Sequence, residues 1–182
     1  MKKIILVLSI VLLLASCSSD SNNSPSPSSS NSGVYKWSFK LDGVLYQWQG
    51  TLQNPGDGGG FYGSTNNLGQ LGLTADLGSL TLSINFPNVS TGTFSFNSSS
   101  PGITGVLLIF QDLTNPIPIT SYDTSNGGTM NVNVTSISSN TIATNPTNPG
   151  KVIGTFSGTI KKSGSQTIST ISEGVFEVWR AN

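Results

Sequence analysis

Beyond residue 33, apolar side chains recur at every second position, and Gly, Asn, Asp and Pro interrupt them at short intervals. Such a period belongs to strands, because successive side chains of an extended backbone point to opposite faces. Val34 to Leu41 sets Tyr35, Trp37, Phe39 and Leu41 on one face and Lys36, Ser38 and Lys40 on the other. Asp42-Gly43 follows, and both positions suit the positive φ of a two-residue hairpin turn. With that turn, Leu41 faces Val44, Phe39 faces Tyr46 and Trp37 faces Trp48, while Lys40, Ser38 and Lys36 meet Leu45, Gln47 and Gln49. A one-residue slip would mix the two sets, so the pattern itself fixes the register.

The same alternation predicts strands over Val44 to Leu52, Phe61 to Thr65, Leu71 to Ala75, Leu80 to Phe86, Thr93 to Phe96 and Met130 to Thr135. Val106 to Gln111 is apolar on both faces and reads as a central strand. Val152 to Lys162 and Ile168 to Arg180 form a C-terminal pair around Ser163-Gly164-Ser165. The apolar parity shifts between Ile168 and Phe176, which predicts a β-bulge within Ile171 to Gly174. No helix is expected. About ten short antiparallel strands predict an all-β fold, an antiparallel β-sandwich, with a closed β-barrel as the alternative. Asn97 to Gly105, Asn115 to Gly128 and Ser138 to Gly150 are polar and read as loops at the ends of that sandwich.

The N-terminus follows a different pattern. Lys2 and Lys3 precede an apolar run from Ile4 to Leu14, too short for the roughly 20 residues that span a bilayer. Leu14-Ala15-Ser16-Cys17 then matches the lipobox of bacterial lipoproteins. The match implies a signal peptide over residues 1–16, cleavage before Cys17, and acyl chains on that cysteine as the attachment to the membrane. Several chains anchor stably where one does not, since each buried methylene contributes ~0.8 kcal/mol. Residues 18–33 are Ser, Asn and Pro with hardly an apolar group, so 17–33 reads as a lipidated cysteine on a disordered tether. Sixteen flexible residues reach roughly 20–25 Å. The remaining 34–182 form one domain. Ser18 agrees with outer-membrane sorting, and Asp20 alone is a poor version of an acidic surface-export signal, so either leaflet stays open.

Composition narrows the chemistry. The chain has 182 residues, no histidine and one cysteine. That excludes a Ser-His-Asp triad, imidazole-ligated zinc, an intramolecular disulfide and a thiolate cluster. Charged residues make up 9% of the chain and the formal charge is zero. Loss of Lys2 and Lys3 with the signal leaves the mature chain weakly acidic, which argues against a nucleic-acid partner.

Taken together, the lipobox, the Ser-rich tether, Trp37-Ser38-Phe39 with Asp42-Gly43, Ile84 to Phe86 with Gly92-Thr93-Phe94, and the C-terminal pair carry a resemblance. That pair reads Val152-Ile153-Gly154-Thr155-Phe156-Ser157-Gly158, then Ile171-Ser172-Glu173-Gly174-Val175-Phe176. The chain resembles small outer-membrane lipoproteins of Bacteroidota of unknown function. The resemblance implies an all-β domain and carries no activity.

Candidate sites are few. Glu173 and Glu177 share a strand face but lie roughly 13 Å apart along it, too far for a glycosidase pair without the bulge. Asp42 and Asp76 are accounted for by turns. Asp57 sits in a glycine-rich stretch that reads as a flexible connection rather than a calcium loop, since it offers a single carboxylate. Trp37, Phe39, Tyr46 and Trp48 fall together on the core face. Tyr62, Tyr122 and Trp179 are freer to be exposed and are the candidate ligand contacts, although nothing draws them together in sequence. No catalytic residue, metal site or cofactor is expected. The reading is a non-catalytic, lipid-anchored binding or interaction module of the cell envelope, meeting a protein partner or a glycan. Its alternative is cell-surface carbohydrate binding.

Overall fold

The computed structural model describes residues 34–51, 58–63, 68–75, 79–100, 105–111, 119–145 and 149–181. Cys17 and the tether, with Asp57, Asp76 and Asp112, lie outside them. Among the described residues eleven strands follow in order: β1 (Val34–Leu41), β2 (Val44–Thr51), β3 (Gly58–Gly63), β4 (Gly69–Ala75), β5 (Leu80–Phe86) and β6 (Gly92–Asn97). Then come β7 (Gly105–Gln111), β8 (Ile119–Asp123), β9 (Thr129–Ile137), β10 (Lys151–Lys162) and β11 (Ile168–Arg180).

The hairpin of β1 and β2 has the register the pattern predicts, from Leu41 opposite Val44 to Lys36 opposite Gln49. Its turn takes φ of 49° at Asp42 and 84° at Gly43, the left-handed pair that a tight hairpin needs. Asp42 also ties the turn to β11: its amide donates to Thr170 O at 2.9 Å and its Oδ1 accepts from Thr170 N at 2.7 Å.

The strands make two layers. One runs β2-β1-β11-β10-β9-β6 and the other β3-β4-β5-β7-β8. The layers join at two corners, at opposite ends of the β10–β11 hairpin. At one, Trp179 and Arg180 pair with Gly60 and Phe61, in parallel; at the other, Lys161 and Lys162 pair with Asp123 and Tyr122. The fold is all-β and sandwich-like, as expected, with that parallel pairing as a departure. Between the layers lies one core that includes Trp37, Phe39, Phe61, Leu82, Ile84, Leu108, Val132, Phe156 and Phe176. Rings from the two layers meet at its margin, Tyr46 against Phe110 at 5.5 Å and Phe86 against Phe94 at 5.0 Å.

The bulge falls where parity places it. Between Ser38 and Lys40 on β1, and between Phe156 and Gly158 on β10, β11 advances one residue more than its partner. Glu173, with φ of 53°, is the left-handed residue in that step. Just beyond it, Gly154 pairs with Phe176 and Phe156 pairs with Gly174. A Cβ on Gly174 would stand 2.7 Å from the Phe156 ring, and one on Gly154 would meet the Phe176 ring and Asn133 O. Each glycine thus receives the aromatic ring of the strand opposite, which is the packing behind the repeated Gly-x-Phe pattern.

Two expectations need correction. The polar stretch Asn115 to Gly128 holds a strand, β8, as well as a loop. Its partners β7 and β10 override a weak pattern, and the inward Thr124 is satisfied because its Oγ1 accepts from Val106 N at 3.2 Å. The glycines after Asp57 are also not a flexible connection, because Gly58–Gly60 are the buried first half of β3.

Candidate functional site

Alternation along β3 explains why those glycines are there. Phe61 is fully buried, and a Cβ on Gly59 would come within 2.6 Å of Val178 Cγ1, so Gly59 and Phe61 face the core. Gly58, Gly60 and Tyr62 therefore face outward. Gly60 pairs with Trp179 on one side and Gly72 on the other. The position of a Gly60 Cβ lies 2.8 Å from both Trp179 Nε1 and the Tyr62 hydroxyl, and that of a Gly58 Cβ lies 2.9 Å from the Trp48 ring and 3.1 Å from Trp179. Any side chain at these positions would displace the aromatics. The absence of side chains lets Trp179 and Tyr62 lie side by side over Gly60 as an aromatic row, with the half-buried Trp48 against Gly58.

Trp179 is held from below by Tyr35, edge to face at 5.5 Å. Tyr35 is itself fully buried and donates its hydroxyl to Pro149 O at 3.1 Å; burial pushes its phenol above the usual value. Tyr62 remains 44% exposed. It borders a groove of about 250 Å³ with Gln70 and Asn85, which stand in register beside it across β4 and β5.

Of the three sequence candidates, the structure brings Tyr62 and Trp179 together and separates Tyr122. On β8, Tyr122 pairs with the buried Leu108 and packs its ring against Phe110 at 6.1 Å, part of the core's margin rather than an outward contact. Trp37 and Phe39 are buried, and Tyr46 and Trp48 pack half-buried against them, as the segregated hairpin faces imply. Gln70 and Asn85 were not among the sequence candidates. Their signal was the alternation of β4 and β5, where both take polar positions between core residues.

A second depression crosses the outer face of the six-stranded layer, where Asn131 and Asn133 accept hydrogen bonds from Ser95 and Thr93 at 2.7 and 3.4 Å. Thr155, Ser157 and Glu173 border it.

All four described carboxylates are engaged in holding strands. Glu173 takes Lys40 at 2.7 Å; Glu177 takes Lys151 at 2.5 Å and Lys36 at 3.7 Å; Asp42 holds Thr170. Asp123 accepts from Ser125 Oγ, Asn126 N, Asn126 Nδ2 and Ser163 Oγ at 2.7, 2.9, 2.8 and 3.2 Å. Burial pushes its carboxyl up, but these hydrogen bonds together outweigh that and leave it below the usual value. Among the described residues no group of three or more Asp, Glu, His or Cys converges as a metal centre would require.

Comparison with known proteins bears on the other end of the chain. Neither the characterised proteins nor the solved structures give a match to this chain. Residues 1–18 match the family pattern described as a prokaryotic membrane lipoprotein lipid attachment site, which makes the chain a lipoprotein anchored in the cell envelope through its one cysteine, Cys17.

Proposed function

We propose that this protein is a non-catalytic binding module held at the outer membrane by the lipid on Cys17. The lipid attachment site is the observation that carries the reading. Residues 18–33 would keep the domain close to the headgroups, within roughly 20–25 Å, where it meets a partner of the envelope. The engaged state of the described carboxylates supports a role without acid–base chemistry, since a general acid or base needs a carboxyl free to reach its substrate. Ser18 supports the outer membrane as the destination. A second reading, carbohydrate binding at the cell surface, is favoured by the exposed Tyr62 beside Trp179.

Fractionation tests the anchor. The native chain is expected in the outer-membrane fraction and the Cys17→Ala chain is expected to leave that fraction. Recovery of the native chain from the inner membrane would refute the destination, and retention of Cys17→Ala in the outer membrane would refute the lipid as its tie.

A further inference from the structure

We infer that the groove beside Tyr62 is a subsite for one neutral sugar ring of a polysaccharide. The inference rests on the binding-module reading and names the ligand class and the residues. Three features converge on it. The first is the attitude of the Tyr62 ring. Its hydroxyl end lies over Gly60, and its Cε2 lies 3.8 Å from where a Gly72 Cβ would stand. The ring thus lies over a floor of glycines from two adjacent strands, while the residue is 44% exposed. A tyrosine of the core or of an ordinary surface does not need side-chain-free neighbours on two strands to lie flat.

The second feature is the polar set. Gln70 and Asn85 follow Tyr62 along one rung, on successive strands. Each carries a carboxamide that both donates and accepts, which is what sugar hydroxyls require of a partner. The third is charge: among the described residues that line the groove none is charged. A nucleotide or an acidic sugar would draw lysine or arginine, and an apolar peptide would leave two amides unpaired when it covered them. A pyranose has an apolar C–H face for the ring and hydroxyls for the amides. The groove, about 250 Å³, is smaller than the roughly 300–1,000 Å³ of sites that enclose a drug-sized ligand, so it suits one ring of a longer chain. Trp179 Nε1 stands beside the Tyr62 hydroxyl over Gly60.

The test is affinity electrophoresis of the full-length lipoprotein, solubilised in detergent, through gels containing a glucan, a mannan, a galactan or the acidic polygalacturonate. Retardation is expected on at least one neutral polysaccharide. Tyr62→Ala is expected to weaken it about tenfold or more, and Tyr62→Phe to keep it, because the ring face and not the hydroxyl makes the contact. Gln70→Ala and Asn85→Ala are expected to weaken it as well. Gly60→Ala, which pushes Tyr62 and Trp179 off the floor, should act like Tyr62→Ala. Equal unfolding temperatures for native and Tyr62→Ala chains establish that the loss is local. Retardation that survives both Tyr62→Ala and Gly60→Ala overturns the site, and retardation by polygalacturonate alone overturns the neutral class. No retardation on any gel overturns the inference; crosslinking of the native chain to an envelope protein would then leave the binding-module reading standing without it.

Discussion

Asp123 shows how single side chains are used in this protein. Four hydrogen bonds converge on its two oxygens: three close the turn between β8 and β9, and the fourth, from Ser163, ties it to the turn between β10 and β11. They favour the ionised form, so the folded-state carboxyl sits below its unfolded value. A group depressed in this way contributes stability above the unfolded pKa, and the contribution is lost as pH falls through the folded one. Asp123→Asn is therefore expected to be less stable than the native chain at pH 7, by at most about 1 kcal/mol for a partly exposed group. The gap should narrow in acid, below about pH 4. Denaturant melts of both chains at pH 7 and pH 3 check this; a gap that is constant with pH would contradict the account. At the same scale, the aromatic row was only half legible. Tyr62 and Trp179 could be singled out as free side chains, but their meeting depends on a parallel pairing between β11 and β3 that spans most of the chain. Sequence periodicity carries no information about which distant strands become neighbours.

Elements defined by local rules were legible in detail. The β1–β2 hairpin follows from its Asp-Gly turn and segregated faces, and the β11 bulge follows from a parity shift. β8 was not, because Ile119–Asp123 has little apolar alternation of its own and is strand through the neighbours that pair with it. Nor was the start of β3. Glycine is a poor strand residue by propensity, and Gly58–Gly60 are extended because Trp48, Trp179 and Val178 occupy the space where side chains would be. The β10–β11 pair gives the sharpest prediction at this scale. Gly154→Ala and Gly174→Ala each put a Cβ into backbone and the opposite phenylalanine, whereas Gly72→Ala meets only Tyr62 at 3.8 Å. The first two should destabilise by ~1–3 kcal/mol as overpacking does, and Gly72→Ala should stay within about 0.5 kcal/mol. Thermal unfolding of the three variants distinguishes them, and equal melting temperatures would contradict the packing described.

Over the whole molecule, a lipid attachment site precedes a two-layer arrangement of strands. The single cysteine belongs to the anchor, which leaves the domain free of thiol chemistry. The described carboxylates Glu173 and Glu177 pair with lysines across neighbouring strands. The all-β class was legible because two-residue periodicity and turn residues decide fold class; the layer order was not, because it is set by the corners. Mass spectrometry of the protein isolated from membranes decides whether the mature chain begins at a lipidated Cys17. Its N-terminal peptide is expected to start at Cys17 and to carry acyl chains. An N-terminal peptide with residues 1–16 still attached, or one in which Cys17 is unmodified, would contradict that expectation.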